Sequence, residues 1–159
     1  MIITIPNFIR NVDEIMFHVY NQGKKFIPRV GVDAHSSLIP GVHSQFKTLK
    51  TEFISGDMLE AIFADSDFDP KLKDTYSFIQ IQKYDPGDYI APHHDTHALR
   101  KIHLVTLTSS DSDGLVCEDV NHVLRTVYDR AGQYIDIPYD AAHYVSPVKN
   151  LRYSMVIGE

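Results

Sequence analysis

From about residue 75 onward, the sequence consists of short segments that alternate between apolar and polar residues and are separated by turn residues. In Thr75–Tyr84, Ile79 and Ile81 share one face, and Gln82 and Tyr84 share the other, as in a half-buried strand. This pattern favours a sandwich or barrel of short strands. Further strand candidates are Tyr89–Pro92, Ile102–Thr108, Leu115–Glu118, Leu124–Tyr128, Gln133–Ile137 and Tyr153–Ile157.

The first 74 residues predict a strand and two helices instead. Ile2–Pro6 is a short apolar strand candidate. Asn11 and Glu14 have the spacing of a capping box, which predicts a helix that starts at Val12. Ser55 is the expected cap of a second helix that ends near residue 64. Two helices followed by seven or eight short strands predict an α+β fold that is mostly β.

Residues 26–50 show no clear period and contain two prolines and two glycines. A connection of this length without regular structure is often functional or mobile. We therefore expect residues 26–50 to form a candidate lid, and the loop 96–100 to form the opposite rim of a binding site.

Composition excludes several classes of protein. The length of 159 residues fits one domain, and a net charge of −6 disfavours a duplex nucleic-acid binder. The single cysteine, Cys117, allows no internal disulfide and no cysteine zinc cluster, and we expect an inert core thiol. No apolar run is long enough to span a membrane, and the first residues do not resemble a signal peptide. The expected location is the cytoplasm.

The sequence His93-His94-Asp95 follows a strand candidate. In extended chain, His93 and Asp95 point to the same side, where both can bind one metal ion. One His-x-Asp is expected by chance in a chain of this composition, so an exposed polar loop is the plain alternative. The same alternation directs His94 away, and we expect its side chain to be exposed.

A third candidate ligand, His143, lies 48 residues after Asp95 in an apolar stretch. A lone histidine in such a place is more often a core residue with its hydrogen bonds satisfied. Two histidines and one carboxylate nevertheless form the facial triad of non-haem Fe(II) oxygenases, which leaves metal positions open for substrate and O₂. Zinc accepts similar ligands, so the triad alone does not select the metal.

Arg152 follows His143 by nine residues, within a segment that otherwise resembles an interior strand. Arginine is seldom buried without a partner. Arg152 and Ser154 share one face of this strand, and a guanidinium beside a hydroxyl matches the far carboxylate of a dicarboxylic acid. The plain alternative is an outward arginine on an edge strand.

Together these residues resemble the Fe(II)/2-oxoglutarate dioxygenases, and in particular the prolyl 4-hydroxylase-like branch. The resemblance is carried by Tyr84–Asp95, Asp129–Ile137, His143–Val148 and Arg152–Ser154. It implies one oxygenase domain over residues 1–159, with a double-stranded β-helix, or jelly-roll, core over residues 75–159 backed by N-terminal helices.

The resemblance also implies the site. His93, Asp95 and His143 would bind Fe(II), and Arg152 and Ser154 would bind the far carboxylate of 2-oxoglutarate. Tyr84 would reach the same cosubstrate. The reaction would consume O₂, release succinate and CO₂ and hydroxylate a C–H bond, with ascorbate left open as an addition.

The sequence departs from the family pattern at three places. Only Gly114 stands where many members have two glycines, and Asn150 replaces a glycine two residues before the arginine. Asparagine tolerates a left-handed turn, so we expect that turn to persist. The strand at Lys101–Thr108 lacks a tyrosine that some members use on the cosubstrate; His103 is a substitute candidate, and Lys101 a further one.

Two other functions stay open at this point. The domain could be a jelly-roll module that binds a metal or a sugar acid without turnover, or a zinc hydrolase that uses the same triad. Neither needs a dicarboxylate site, so Arg152 and Ser154 favour the oxygenase. The substrate, a small molecule or a peptide that includes prolyl residues, and the oligomeric state do not follow from the sequence.

Overall fold

The computed structural model describes residues 2–30, 37–95, 101–138 and 140–159. Helices α1 (Val12–Asn21), α2 (Gly56–Ala64) and α3 (Leu72–Thr75) lie in the first half, with short 3₁₀ turns at Gly23–Lys25 and Thr51–Phe53. The strands are β1 (Ile3–Ile5), β2 (Ile27–Val30), β3 (Gln45–Leu49), β4 (Phe78–Tyr84), β5 (Ile90–His93), β6 (Ile102–Thr106), β7 (Gly114–Glu118), β8 (Leu124–Tyr128), β9 (Tyr134–Asp136), β10 (His143–Val145) and β11 (Arg152–Gly158).

The strands form two antiparallel sheets. The larger has the order β1-β9-β6-β11-β4-β3-β2, and the smaller has the order β5-β10-β7-β8. The last eight strands are divided equally between the two sheets as in a jelly roll, with β4, β6, β9 and β11 in the larger sheet and β5, β7, β8 and β10 in the smaller, and β1, β2 and β3 extend the larger sheet. The predicted α+β, mostly β jelly-roll is confirmed. No helix in the described ranges has the length and apolar content needed to cross a membrane.

Two apolar clusters pack on opposite faces of the larger sheet. The outer cluster contains the buried residues of α1 and α2 together with Ile79 and Ile81. The inner cluster, between the sheets, contains Tyr84 and Cys117. The two faces of β4 therefore divide as predicted: Ile79 and Ile81 pack against the helices, and Tyr84 lies inside the barrel.

Both predicted helices are present, with α1 starting at Val12 as predicted and α2 starting at Gly56, one residue before the predicted Asp57, but only one of the two predicted side-chain caps is formed. The Ser55 hydroxyl accepts a hydrogen bond from the Met58 N–H at 3.2 Å. Asn11 makes no side-chain cap. Its amide instead donates to the Ala61 carbonyl oxygen at 2.6 Å, so that Asn11 links α1 to α2.

The expectation that residues 26–50 lack regular structure is wrong. β2 and β3 pair as an antiparallel hairpin at the edge of the larger sheet, while residues 31–36 lie outside the described ranges. The apolar–polar pattern of β3 is obscured because Phe46 belongs to the inner cluster and Leu49 to the outer one.

The described part of the connection between β2 and β3, which begins at Ser37, also contacts the smaller sheet. The Leu38 N–H donates to the Pro92 carbonyl at 2.7 Å, and Gln45 and Tyr89 exchange two backbone hydrogen bonds at 2.9 Å. The Ser44 hydroxyl accepts from the Ala91 N–H at 2.9 Å. Residues 37–45, the bridging segment, therefore join the two sheets along β5.

The turn that precedes β11 is held by Asp113 instead of by a left-handed residue. Asn150 does not have a positive φ; among described residues other than glycine, only Asn7 and His122 do. The Asp113 carboxylate accepts hydrogen bonds from the backbone N–H groups of Lys149 and Asn150, at 2.8 and 3.0 Å. The expected left-handed turn at Asn150 is thus wrong, because these hydrogen bonds fix the turn in another conformation.

Asp113→Ala is expected to lower the stability of the fold by about 1.5–3 kcal/mol, the cost of a lost hydrogen bond to a buried charged group. Burial alone would raise the pKa of Asp113, but hydrogen bonds from Lys149, Asn150 and Ser110 outweigh it and lower the pKa below 3.8. The stabilisation is therefore present above pH 3.8 and is lost as the pH falls through the lowered pKa.

Urea unfolding at pH 7 and at decreasing pH measures this effect. The difference between wild type and Asp113→Ala should shrink as the pH falls below 3.8. Asp111→Ala is the matched control, because the Asp111 side chain is 97% exposed. A pH-independent difference would contradict the role given to the carboxylate.

Candidate active site

Three of the predicted residues meet at adjacent strands of the smaller sheet. His93 ends β5 and lies directly opposite His143, the first residue of β10. Asp95 follows two residues after His93. The Nε2 atom of His143 lies 3.0 Å from Asp95 Oδ2, and that of His93 lies 3.6 Å from Asp95 Oδ1. One ligand atom from each residue lies within 4.8 Å of the others, which suits a single metal ion.

Both histidine rings are oriented by their own strands. His93 Nδ1 lies 2.8 Å from the Ala91 carbonyl oxygen, and His143 Nδ1 lies 3.0 Å from that of Ala141. A carbonyl oxygen only accepts, so each Nδ1 donates its hydrogen, and the Nε2 atoms beside Asp95 are the ring atoms available to a metal ion. Such second hydrogen bonds fix the orientation of metal-binding histidines. His143 is buried, whereas His93 and Asp95 are half-buried, so the group is accessible from one side.

His94 does not have the predicted exposure. Its side chain is half-buried, and its Nδ1 atom is buried without a hydrogen-bond partner in the described structure. Alternation along the strand predicts that His94 points away from His93, but it does not predict whether other residues cover that opposite face. His97 and the predicted rim at 96–100 lie outside the described residues.

Arg152 is buried inside the barrel and forms an ion pair that the sequence reading did not include. Its Nε donates to Asp129 Oδ2 at 2.8 Å, and the two side chains are only 2% and 1% exposed. The guanidinium carbon lies 4.9 Å from the centroid of the Tyr84 ring. Arg152 Nη2 and Asp129 Oδ1 are buried and have no hydrogen-bond partner among the described residues.

Tyr84 and Ser154 meet at a residue that the sequence analysis did not assign to the site. The Tyr84 and Ser154 hydroxyls both donate to Gln82 Oε1, at 3.1 and 3.2 Å. Burial raises the pKa of Tyr84 to about 12, so its hydroxyl stays protonated and remains a donor. Gln82 shares a face with Tyr84 in the period-two pattern, and this signal was sufficient to include it.

A row of polar residues crosses the larger sheet at this level. Thr48 lies directly opposite Gln82, which lies opposite Ser154. Thr48 is fully buried, and its Oγ1 has no hydrogen-bond partner in the described ranges. Buried polar atoms without partners are rare in folded proteins, so Thr48 Oγ1 and Arg152 Nη2 are each suited to bind a polar ligand.

The metal-site residues and Arg152 face the same interior. His143 lies opposite Cys117, and Tyr84 lies opposite Arg152; both Cys117 and Tyr84 belong to the inner cluster. Burial raises the pKa of the Cys117 thiol to about 11, so the thiol is protonated, in agreement with the predicted inert role.

His103 and Lys101, the proposed substitutes for the missing tyrosine, are wrong. His103 Nδ1 contacts the Tyr134 hydroxyl at 2.9 Å, and its ring packs against Phe68 of the outer cluster. The Lys101 ammonium group lies 5.9 Å from the Tyr134 ring centroid. Both side chains lie on the helix-covered side of the sheet because the alternation of β6 directs Leu104 inward and His103 outward.

Solved structures with the same architecture include several oxygenases. A Pseudomonas putida prolyl-4-hydroxylase matches with a TM-score of 0.68 and 15% identity, over 99% of this chain and 91% of the other. The viral collagen prolyl hydroxylase of Paramecium Bursaria Chlorella virus-1, solved with 2-oxoglutarate, matches with a TM-score of 0.62 and 15% identity, over 99% and 94%. The chain has the fold of the Fe(II)/2-oxoglutarate oxygenases.

Within this oxygenase fold, similar structures have different reactions. The α-ketoglutarate-dependent epimerase SnoN from nogalamycin biosynthesis matches with a TM-score of 0.70 and 12% identity, over 98% of this chain and 76% of the other. No protein-family model and no curated protein sequence matches the chain. The fold is therefore that of an oxygenase, while the reaction must be argued from the site.

Proposed function

We propose that this protein is an Fe(II)- and 2-oxoglutarate-dependent dioxygenase that hydroxylates a C–H bond and releases succinate and CO₂. The observation that supports it best is the group of His93, Asp95 and His143 inside an oxygenase fold, with one ligand atom from each residue within 4.8 Å of the others. Two imidazoles and one carboxylate are the ligand set of the non-haem iron oxygenases.

The three ligands would hold iron on one face only. Iron bound there would supply the O₂-dependent oxidation, while the protein supplies position and a protected interior. The two Nδ1–H···O=C bonds hold both Nε2 atoms beside the Asp95 carboxylate, where they could bind the same ion. The inner cluster, with Tyr84 and Cys117, surrounds this interior with apolar groups and limits the access of water.

The cosubstrate would be held by the buried polar group of Arg152, Tyr84 and Ser154. Arg152 Nη2 is a buried donor without a partner, which fits the far carboxylate of 2-oxoglutarate. The Tyr84 and Ser154 hydroxyls donate to Gln82 Oε1 in this structure, so each would turn its single hydrogen from Gln82 to the carboxylate when 2-oxoglutarate binds. The Thr48 hydroxyl has no hydrogen-bond partner among the described residues and offers a further donor. The residues present therefore fit both the metal and the dicarboxylic acid.

The primary substrate is a small molecule or a peptide, and a prolyl or other amino-acid residue is the specific candidate. We expect it to contact the bridging segment, since residues 37–45 lie along β5, which carries His93. Leu38 and Ile39 of this segment are 45% and 46% exposed. Two exposed apolar side chains beside the strand of a metal ligand are suited to bind a partly apolar substrate.

The double substitution Leu38→Ser with Ile39→Ser is expected to leave substrate-free succinate formation within about twofold of wild type. It should lower substrate-stimulated succinate release by about tenfold or more, since each buried aliphatic side chain contributes about 1.5–3 kcal/mol. A screen of peptide and metabolite pools for stimulated succinate release supplies the substrate.

Val123→Ser with Leu124→Ser is the matched control. Val123 and Leu124 are 46% and 55% exposed. Leu124 is the first residue of β8, at the opposite edge of the smaller sheet from β5, and Val123 directly precedes it. Equal effects of both double substitutions on stimulated release would contradict the assignment of the substrate to the bridging segment.

Anaerobic addition of Fe(II) and then 2-oxoglutarate tests the proposed function. A weak visible absorption band that requires both additions, followed by succinate release when O₂ is admitted, is the expected result. Metal binding without this band would favour a binding module. Hydrolytic activity with zinc and no response to 2-oxoglutarate would favour the hydrolase.

A further inference from the structure

We propose that Asp129 is a positioning residue that orients Arg152 for the far carboxylate of a 2-oxo dicarboxylic acid. This inference rests on the proposed function, and it assigns a role to a side chain that the sequence analysis did not place in the site.

Asp129 is held rigidly in the loop that follows β8. Its backbone N–H donates to the Asp113 carbonyl at 3.0 Å, and its own carbonyl accepts from the Ser110 N–H at 3.1 Å. The Arg130 guanidinium donates to the same carbonyl at 2.7 Å. A carboxylate on so constrained a backbone is a fixed acceptor for its partner.

The guanidinium of Arg152 is held from two directions. Asp129 Oδ2 accepts from Nε on its edge at 2.8 Å, and the Tyr84 ring covers one face. These contacts use one of the five N–H donors of the arginine and leave Nη2 buried without a partner in the described structure. The unused donors are therefore fixed in direction before any ligand binds, which lowers the entropy lost on binding.

Charge also favours a positioning role over simple attraction. Asp129 and Arg152 carry opposite charges, so the pair offers little net positive charge to an incoming anion. Burial raises the pKa of Asp129, with the attraction of Arg152 acting in the opposite direction. Binding of a carboxylate at this place then depends on how well the donors are aimed, and a substitution that keeps the acceptor should keep the affinity.

Three expectations follow for anaerobic titrations of the Fe(II)-loaded protein, monitored by visible absorption. Asp129→Ala should raise the Kd for 2-oxoglutarate by about tenfold or more, comparable to the loss of one charge-assisted hydrogen bond. Asp129→Asn, which keeps an oxygen for the Nε–H, should stay within about threefold of wild type. The Kd for 2-oxobutyrate, which lacks the far carboxylate, should be the same in all three proteins.

The matched control is Asp119→Ala. Asp119 accepts from the Nε of Arg125 at 3.1 Å in the same pairing geometry, but Arg125 lies on the exposed edge strand β8. This variant should bind 2-oxoglutarate as wild type does. If Asp129→Ala does not fold, Asp129→Glu replaces it: the charge is kept but the acceptor is displaced, and the Kd for 2-oxoglutarate alone should rise.

Several results would overturn the inference. A Kd for 2-oxoglutarate that is unchanged or lower in Asp129→Ala, or in Asp129→Glu where that variant replaces it, would exclude a positioning role, as would an equal loss of 2-oxobutyrate binding. If wild type itself does not bind 2-oxoglutarate in the presence of iron, the proposed function and this inference both fail. If wild type binds 2-oxoglutarate and the Asp129 variant binds it equally well, the role proposed for Asp129 fails while the proposed function stands.

Discussion

His143→Ala is expected to abolish 2-oxoglutarate-dependent turnover and to weaken Fe(II) binding strongly. The substitution removes one of the three proposed metal ligands, so its effect should exceed the ~10- to 100-fold losses that follow from changes around metal ligands. His93→Ala and Asp95→Ala should have the same effect. Succinate release and the iron content of the protein after gel filtration measure both quantities.

The fold should persist in these variants because the two apolar clusters hold the sheets together without the metal. Circular dichroism and the melting temperature check this point. His122→Ala is the matched control. The His122 side chain is exposed, and its ring hydrogen-bonds to Glu118 at 2.9 Å. Near-normal activity of His143→Ala would show that the ligand assignment is wrong.

Arg152→Lys is expected to raise the apparent KM for 2-oxoglutarate by about 10- to 150-fold, the equivalent of one charge-assisted hydrogen bond. Lysine keeps the positive charge but lacks the planar fork, so it cannot serve Asp129 and a bound carboxylate from fixed directions. The value of kcat should change much less, because the substitution leaves the three metal-binding residues intact.

Succinate release at varied 2-oxoglutarate concentration measures both constants. Arg125→Lys is the control, because Arg125 pairs with Asp119 through the same Nε atom outside the barrel. If the KM does not change, the carboxylate site must lie elsewhere in the interior. His103 and Lys101 would not replace Arg152, since both lie on the helix-covered side of the sheet.

Much of the fold and of the candidate site could be predicted because the relevant signals are local. The alternation in β4 gives its two faces, and the spacing of His93 and Asp95 places them on one side. Ser55 caps α2 through a contact only three residues away. The family resemblance linked His93 and Asp95 to the distant residues His143 and Arg152, and the structure places His143 beside His93 and Asp95.

The features that were missed depend on contacts between distant parts of the chain. Asp129 and Arg152 are 23 residues apart, and Ser44 of the bridging segment bonds to Ala91 of β5, 47 residues later. β3 lacks a clear period because it is apolar on both faces, with Phe46 in the inner cluster and Leu49 in the outer one. The orientation of His103 depends on the register of β6 against β11, which a single sequence does not contain.

The hydrogen bonds from His93 and His143 to the carbonyl oxygens two residues earlier have a consequence for metal loading. Each ring is held by its own strand, so the ligand geometry exists as soon as the sheet has formed. Metal capture is then an exchange of water for protein ligands and requires no folding of the chain, unlike in a zinc finger. If a metal ion binds there, its loss should therefore leave a folded protein that can be reloaded without passing through an aggregation-prone unfolded state.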